Sequence, residues 1–140
     1  VCGTFYLHTA GMHRAVLWPA IAMGLLSTAV LNVNNMRDIH NDAASSKRTL
    51  VVRMGLARAR IYHTALVAGG VLGLVVFTVL ATPVRWTSWL FLLPLPGFII
   101  HLVRVWTITD PRALDPQLKV LAMGTFMTAV LFSLGIFVAA

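Results

Sequence analysis

Hydrophobic positions along this chain run in long blocks instead of alternating with polar ones. Residues 15–36, 61–84, 86–103 and 120–140 contain no Lys, Arg, Asp or Glu, and each is close to the roughly 20 residues that a helix needs to cross a bilayer. The pattern predicts an all-α fold, a multi-span bundle of about four transmembrane helices in a lipid bilayer. A shorter uncharged stretch, residues 1–13, reads as the end of a preceding helix. The chain opens at Val1 with neither an initiator Met nor the basic n-region of a signal peptide, so a fragment of a longer protein is expected. The four residues TPVR, 82–85, are short enough to force an antiparallel hairpin between the second and third spans. Pro94 and Pro96 fall inside the third span, where a missing backbone donor predicts a kink. Gly69, Gly70, Gly73, Gly124 and Gly135 are expected to let helices pack closely.

Charge sharpens this picture. Only 11% of residues are charged, against 59% hydrophobic, which is far from the mix of a soluble domain. The net charge of +7 does not point to nucleic acid, because the basic residues sit in the connections and not along one amphipathic face. Nine of the eleven lie in the connections 37–60 and 104–119: Arg37, Lys47, Arg48, Arg53, Arg58, Arg60, Arg104, Arg112 and Lys119. Arg14 and Arg85 fall on the other side, so the positive-inside rule assigns both basic connections to the cytoplasm and residues 82–85 to the outer face. Trp18, Trp86, Trp89 and Trp106 stand near span ends, where indole rings favour the interface. The single cysteine, Cys2, has no second thiol for a disulfide or a metal pair.

Candidate chemistry gathers directly after the first span, in NNMRDIHNDAASSKRTL, residues 34–50. With about 100° of turn per residue and Asn34 at zero, Asp38 falls near 40°, Asp42 near 80° and Asn35 near 100°, provided the helix continues to Asp42. Four oxygen-bearing side chains then share one face. Two carboxylates one turn apart repel unless a cation lies between them, and carboxylate and amide oxygens suit Mg²⁺. Lys47, Arg48 and Arg53 follow closely, and cations beside an acid-bound Mg²⁺ are what a departing diphosphate needs. The implied substrate is an anionic, lipid-attached diphosphate. An Asp-x-x-x-Asp pair by itself is common on solvated helix ends. Its combination with Asn34 and Asn35 at the edge of a membrane span, where unpaired polar groups are costly, marks it as functional.

The other polar residues have plainer readings. Arg58, Arg60, Arg104, Arg112 and Lys119 are expected to anchor the connections at lipid headgroups, and Asp110 and Asp115 to belong to a turn. His63 and His101 have no acidic partner at metal spacing and read as satisfied polar residues within helices; His40 reads as solvated. A phosphatidyltransferase of the CDP-alcohol type would show Asp-Gly and Ala-Arg upstream of a Gly-spaced aspartate pair, which this chain lacks. A non-catalytic membrane subunit with an acidic loop is the alternative from a different class.

The run AVLNVNNMRDIHNDAASSKRTLVVRMG, with ARARIYH after it, resembles the second aspartate-rich motif and following helix of the UbiA-type intramembrane prenyltransferases, and GTFYL and AVLFSLGIF extend the resemblance towards both ends. The branch most similar alkylates 1,4-dihydroxy-2-naphthoate in menaquinone biosynthesis; another aromatic acceptor is the alternative within the family. The resemblance implies a multi-pass protein of the bacterial inner membrane with its site on the cytoplasmic side. It implies transfer of a polyprenyl group from a polyprenyl diphosphate, with loss of diphosphate and, for this acceptor, carbon dioxide. By position, Asn35, Asp38 and Asp42 would hold Mg²⁺ and diphosphate, with Asp38 and Asp42 catalytic, and Lys47 would contact phosphate. Arg48 and Arg53 follow as diphosphate-binding candidates. Where many relatives have a charged residue after the second aspartate and a glycine before the lysine, this chain has Ala43 and Ser46. The family's first aspartate-rich motif is absent from these residues, so the resemblance implies a missing N-terminal half, without which the fragment is expected to be inactive.

Overall fold

A computed structural model describes residues 1–81 and 85–139. The described residues form helices and turns, with no strand among them. Helix α1 spans Cys2–Thr9, α2 Leu17–Arg37, α3 Ile39–Ala44, α4 Leu50–Ala81, α5 Leu95–Thr107 and α6 Asp115–Ala139. Short 3₁₀ segments stand before α2, α5 and α6. Four stretches, Arg14–Arg37, Leu50–Ala81, Trp86–Thr107 and Pro111–Ala139, are long and apolar enough to cross a membrane. The expected hairpin and the outward-facing connection fall largely on residues 82–84, outside the described residues.

Helix α2 is the hub, packing against α4 and α6. Leu26, Ala29, Val33 and Met36 of α2 meet Val51, Ala59, Leu66 and Val67 of α4, Phe98 and Val105 of α5, and Leu121 of α6 in one buried cluster. Large apolar side chains also cover the outside: Leu72, Leu80, Phe126 and Phe137 are all exposed. Apolar residues on both inside and outside are what lipid requires and what water would punish. Glycine permits the closest approaches. A Cβ on Gly70 would sit 2.7 Å from Cγ of Leu26, and one on Gly135 would sit 2.3 Å from the carbonyl oxygen of Thr87, so these contacts exist because nothing projects there.

Three elements differ from the pattern-based expectation. Helix α4 begins at Leu50 and so takes up residues 50–60, expected as a connection, because charged side chains are compatible with a helix wherever it emerges from the apolar layer. At Gly55 the helix breaks, with φ 79° and ψ 162°, a backbone region essentially reserved for glycine. Nothing lies within 4 Å of a Cβ built there, so conformation and not space demands the glycine. The third span does not kink at its prolines but restarts: Trp86–Leu92 is 3₁₀, Pro94 is the N-cap of α5 and Pro96 lies in its first turn, where a missing N–H costs no helical bond. Helix α6 starts at Asp115, with Pro116 next, again a first-turn arrangement, and a carboxylate there suits the positive end of the helix dipole.

Inside the bundle a polar chain ties α4, α5 and α6 together. His63 and His101 are fully buried, and their Nε2 atoms are 2.8 Å apart. His101 Nδ1 lies 3.2 Å from Gln117 Oε1. With that oxygen accepting, His101 Nδ1 carries the proton, so His63 Nε2–H donates to His101 Nε2. The two histidines are thus each other's partners at Nε2, and His101 is satisfied as expected, but His63 Nδ1 is buried without a hydrogen-bond partner. Arg60, expected at a lipid headgroup, is half-buried and donates to the carbonyl of Ile108 at the end of α5, while Trp106 Nε1–H donates to Thr64 Oγ1 at 3.1 Å.

Candidate cation and diphosphate site

The corner between α2 and α3 carries the acidic motif. Asp38 is the hinge residue, at φ −94° and ψ 7°, yet helical hydrogen bonding crosses it: Asp38 N–H donates to Asn34 O at 3.1 Å, and Asp42 N–H to Asp38 O at 2.8 Å. The one-turn spacing of the two aspartates therefore survives the bend. Helix α3 then closes in a Schellman turn, Lys47 N–H donating to Asp42 O at 2.8 Å and Ser46 N–H to Ala43 O at 3.2 Å. This turn needs a left-handed residue at its C′ position, and Ser46 supplies it with φ 57°. That requirement gives a physical reason for the glycine that the family resemblance leads one to expect at this position. The same turn folds Lys47 back over Asp42, and Lys47 Nζ comes within 3.1 Å of Asp42 Oδ1.

Asp42 is 7% exposed, and its second oxygen, Oδ2, is buried without a hydrogen-bond partner. A buried carboxylate oxygen lacking a donor is costly, and a cation would satisfy it. Asp38 is differently placed. Arg37 grips both its oxygens, Nε to Oδ1 at 2.9 Å and Nη2 to Oδ2 at 2.8 Å. These hydrogen bonds hold the Asp38 carboxyl below its ordinary value, against the opposing effect of partial burial. The third guanidinium nitrogen, Nη1, reaches Asp115 Oδ1 at 2.8 Å. Asp115, expected in a turn remote from the motif, thus stands beside it at the start of α6, whereas Asp110 does cap a turn, accepting from Arg112 N–H at 3.1 Å.

Asn35 lines a small cavity of about 80 Å³ with Thr28, Leu31, Asn32, Leu50 and Tyr62. Neighbouring Asn32 is buried and donates to Ala59 O at 3.2 Å, a structural role. Arg48 and Arg53 are exposed, with no side-chain partner among the described residues. Around α2, at about 100° per residue and with Asn34 at zero, buried Ala22, Leu26, Ala29, Val33 and Met36 lie at about 200–280°. On the same scale Ser27, Leu31, Asn34, Asn35 and Asp38 lie at about 0–100°. The polar face of α2 therefore looks away from this chain's own core.

All the candidate donors are oxygens, from carboxylates and an amide, and they fit a hard divalent cation; Asp42 Oδ2 is ready for one, while Asp38 must first shed Arg37. Among the described residues, no three His, Cys, Asp or Glu side chains gather as a ready-made metal cluster. Apolar grooves of about 400 Å³ between α5 and α6 and about 320 Å³ between α4 and α5 lie away from the motif. Two residues of the corner, Arg37 and Asp115, were not picked out by their sequence context. Arg37 carried the weak signal of adjacency to Asp38; Asp115 is 78 residues away and carried none.

The UbiA prenyltransferase family matches residues 1–130. The chain belongs to that family. Its relatives include the 1,4-dihydroxy-2-naphthoate octaprenyltransferase of Haemophilus influenzae, 41% identical over 99% of this chain and 44% of the relative. The Escherichia coli enzyme of the same name is 42% identical over 98% of the chain and 44% of the relative. That of Mycobacterium tuberculosis is 45% identical over 59% of the chain and 28% of the relative. The chain spans less than half the length of these UbiA relatives, and no solved structure matches it. Family membership and the four long apolar helices make it an integral membrane protein.

Proposed function

We propose that this chain forms part of a bacterial inner-membrane UbiA prenyltransferase, which moves a polyprenyl group from polyprenyl diphosphate to 1,4-dihydroxy-2-naphthoate. The α2–α3 corner is its second acidic site, on the cytoplasmic side. The observation that carries this reading is the bare, buried Oδ2 of Asp42, one helical turn from Asp38 and under Lys47. Likeness to relatives named for this reaction, over nearly the whole chain, supports the choice of donor and acceptor.

In this proposal Asn35, Asp38 and Asp42 hold Mg²⁺. When bound, the ion offsets charge on the leaving diphosphate. Lys47, fixed over Asp42 by the Schellman turn, has a side chain 62% exposed, and the N–H donors that its Asp42 pair leaves over can bond phosphate oxygens. Arg48 and Arg53 give further positive charge at the mouth of the site. The C–O bond to the diphosphate breaks, the diphosphate departs with the electron pair, and the electron-rich naphthoate ring supplies the pair for the new C–C bond, with loss of carbon dioxide. Apolar helix walls keep water from the allylic cation. The outward polar face of α2 is where a second acidic helix, from the part of such an enzyme that this chain does not span, would complete the charge balance.

The test is direct. Membranes holding the full-length protein are given octaprenyl diphosphate and 1,4-dihydroxy-2-naphthoate with Mg²⁺ or with EDTA, and the prenylated product is read by mass spectrometry. Product formed with Mg²⁺ and abolished by EDTA is expected. Transfer only to a different aromatic acid would overturn the acceptor, and transfer indifferent to EDTA would overturn the cation.

A further inference from the structure

We infer that Arg37 is a positioning residue that competes with the cation for Asp38 and is carried over to Asp115 when the cation binds. This rests on the reading of the corner as a divalent-cation site. The geometry is a three-way fork. Nε and Nη2 occupy both oxygens of Asp38, and Nη1 already holds Asp115 Oδ1. A guanidinium presents its donors in one rigid plane, so an Asp38 gripped on both oxygens is not free to ligate a cation on that side.

The five charges of the corner come from Asp38, Asp42, Asp115, Arg37 and Lys47, and together they sum to one negative charge. Without a cation, Arg37 on Asp38 and Lys47 on Asp42 offset two carboxylates that stand one turn apart. When a divalent cation takes the oxygens of Asp38, Arg37 must leave them, and Asp115 keeps it from leaving the site. Asp115 is suited to that role because its side chain is 60% exposed and it stands on a different helix, the first residue of α6, so it does not move with Asp38. A guanidinium kept at this distance also remains within reach of diphosphate oxygens. The resting and loaded states thus differ by the exchange of one partner, and cation affinity is lowered by the fraction of time Arg37 spends on Asp38.

Mn²⁺ binding to the purified full-length protein, read by loss of the free-ion EPR signal, tests this. Arg37→Gln should tighten Mn²⁺ binding three- to tenfold. Arg37→Lys should tighten it also, because an ammonium keeps the charge but cannot hold both oxygens; no change in Arg37→Lys would mean that charge alone acts and would overturn the inference. Asp115→Asn, which confines Arg37 to Asp38, should weaken binding at least threefold. In Arg37→Gln, adding Asp115→Asn should change affinity by less than twofold, because Asp115 acts through Arg37. Additive effects of the two substitutions, or loosening by Arg37→Gln, would also overturn it. Mn²⁺ binding that is insensitive to Asp42→Asn would instead overturn the cation site itself.

Discussion

Asp42→Asn separates a structural from a chemical role with two magnitudes that the structure sets apart. The side chain is almost wholly buried, but its one ion pair is with Lys47, whose own side chain is 62% exposed. An ion pair with one partner in solvent is worth about 0–1 kcal/mol, and the amide oxygen of Asn can still accept from Lys47. The loss of stability should therefore be about 1 kcal/mol or less. The other oxygen, Oδ2, has no donor to lose, so replacing it with an amide costs nothing in existing contacts but puts an N–H₂ where a cation would sit. Removing one charge contact from a transition state costs about 3–4 kcal/mol, roughly 10²–10³ in rate. The assay is Mg²⁺-dependent prenyl transfer in membranes of the full-length protein, with thermal stability in detergent measured on the same preparation. Turnover within threefold of wild type, at unchanged stability, would refute the assignment of Asp42.

Three further outcomes follow from the packing and the corner. His101→Leu should destabilise the bundle by about 1–3 kcal/mol, since it orphans His63 Nε2 in the interior, and adding His63→Leu should restore part of the loss, both read by thermal denaturation. At the two positive-φ positions flanking Lys47 to Arg53 the signs should be opposite: Gly55→Ala costs about 1–3 kcal/mol. Ser46→Gly gains about 0–1.5 kcal/mol, relief of a left-handed residue worth about 1–2 less about 0.5–1 of added unfolded-state entropy. For topology, a cysteine at Ser45 in a Cys2→Ser background should resist an impermeant thiol reagent added to intact cells, and its labelling would reverse the cytoplasmic assignment.

The spans were legible because lipid excludes charge, and a block without Lys, Arg, Asp or Glu records that exclusion residue by residue. Helix ends were not legible in the same way. Arg53, Arg58 and Arg60 lie in α4, and Asp115 and Lys119 in α6, since absence of charge marks the apolar layer and not the end of hydrogen bonding. The one-turn spacing of Asp38 and Asp42 could be read from local sequence, as could the nearness of Lys47. The reach of Arg37 to Asp115 could not, because it depends on α6 starting beside the end of α2. Nor could the His63–His101 bond, which joins two residues 38 apart through their Nε2 atoms, a pairing that neither sequence neighbourhood displays. Ser46 is intermediate: its departure from the glycine of relatives was visible, but its left-handed backbone became clear only once the Schellman turn was seen.

A divalent cation held at the α2–α3 corner can be located by the backbone cleavage that a redox-active ion causes around itself. Fe²⁺ is substituted for Mg²⁺ in the full-length protein with prenyl diphosphate present, ascorbate and peroxide are added, and the positions of backbone scission are mapped by mass spectrometry. A cation held by Asn35, Asp38 and Asp42 predicts scission concentrated within residues 34–47 and suppressed by excess Mg²⁺. Scission elsewhere in the chain, with residues 34–47 intact, would place the cation away from this corner.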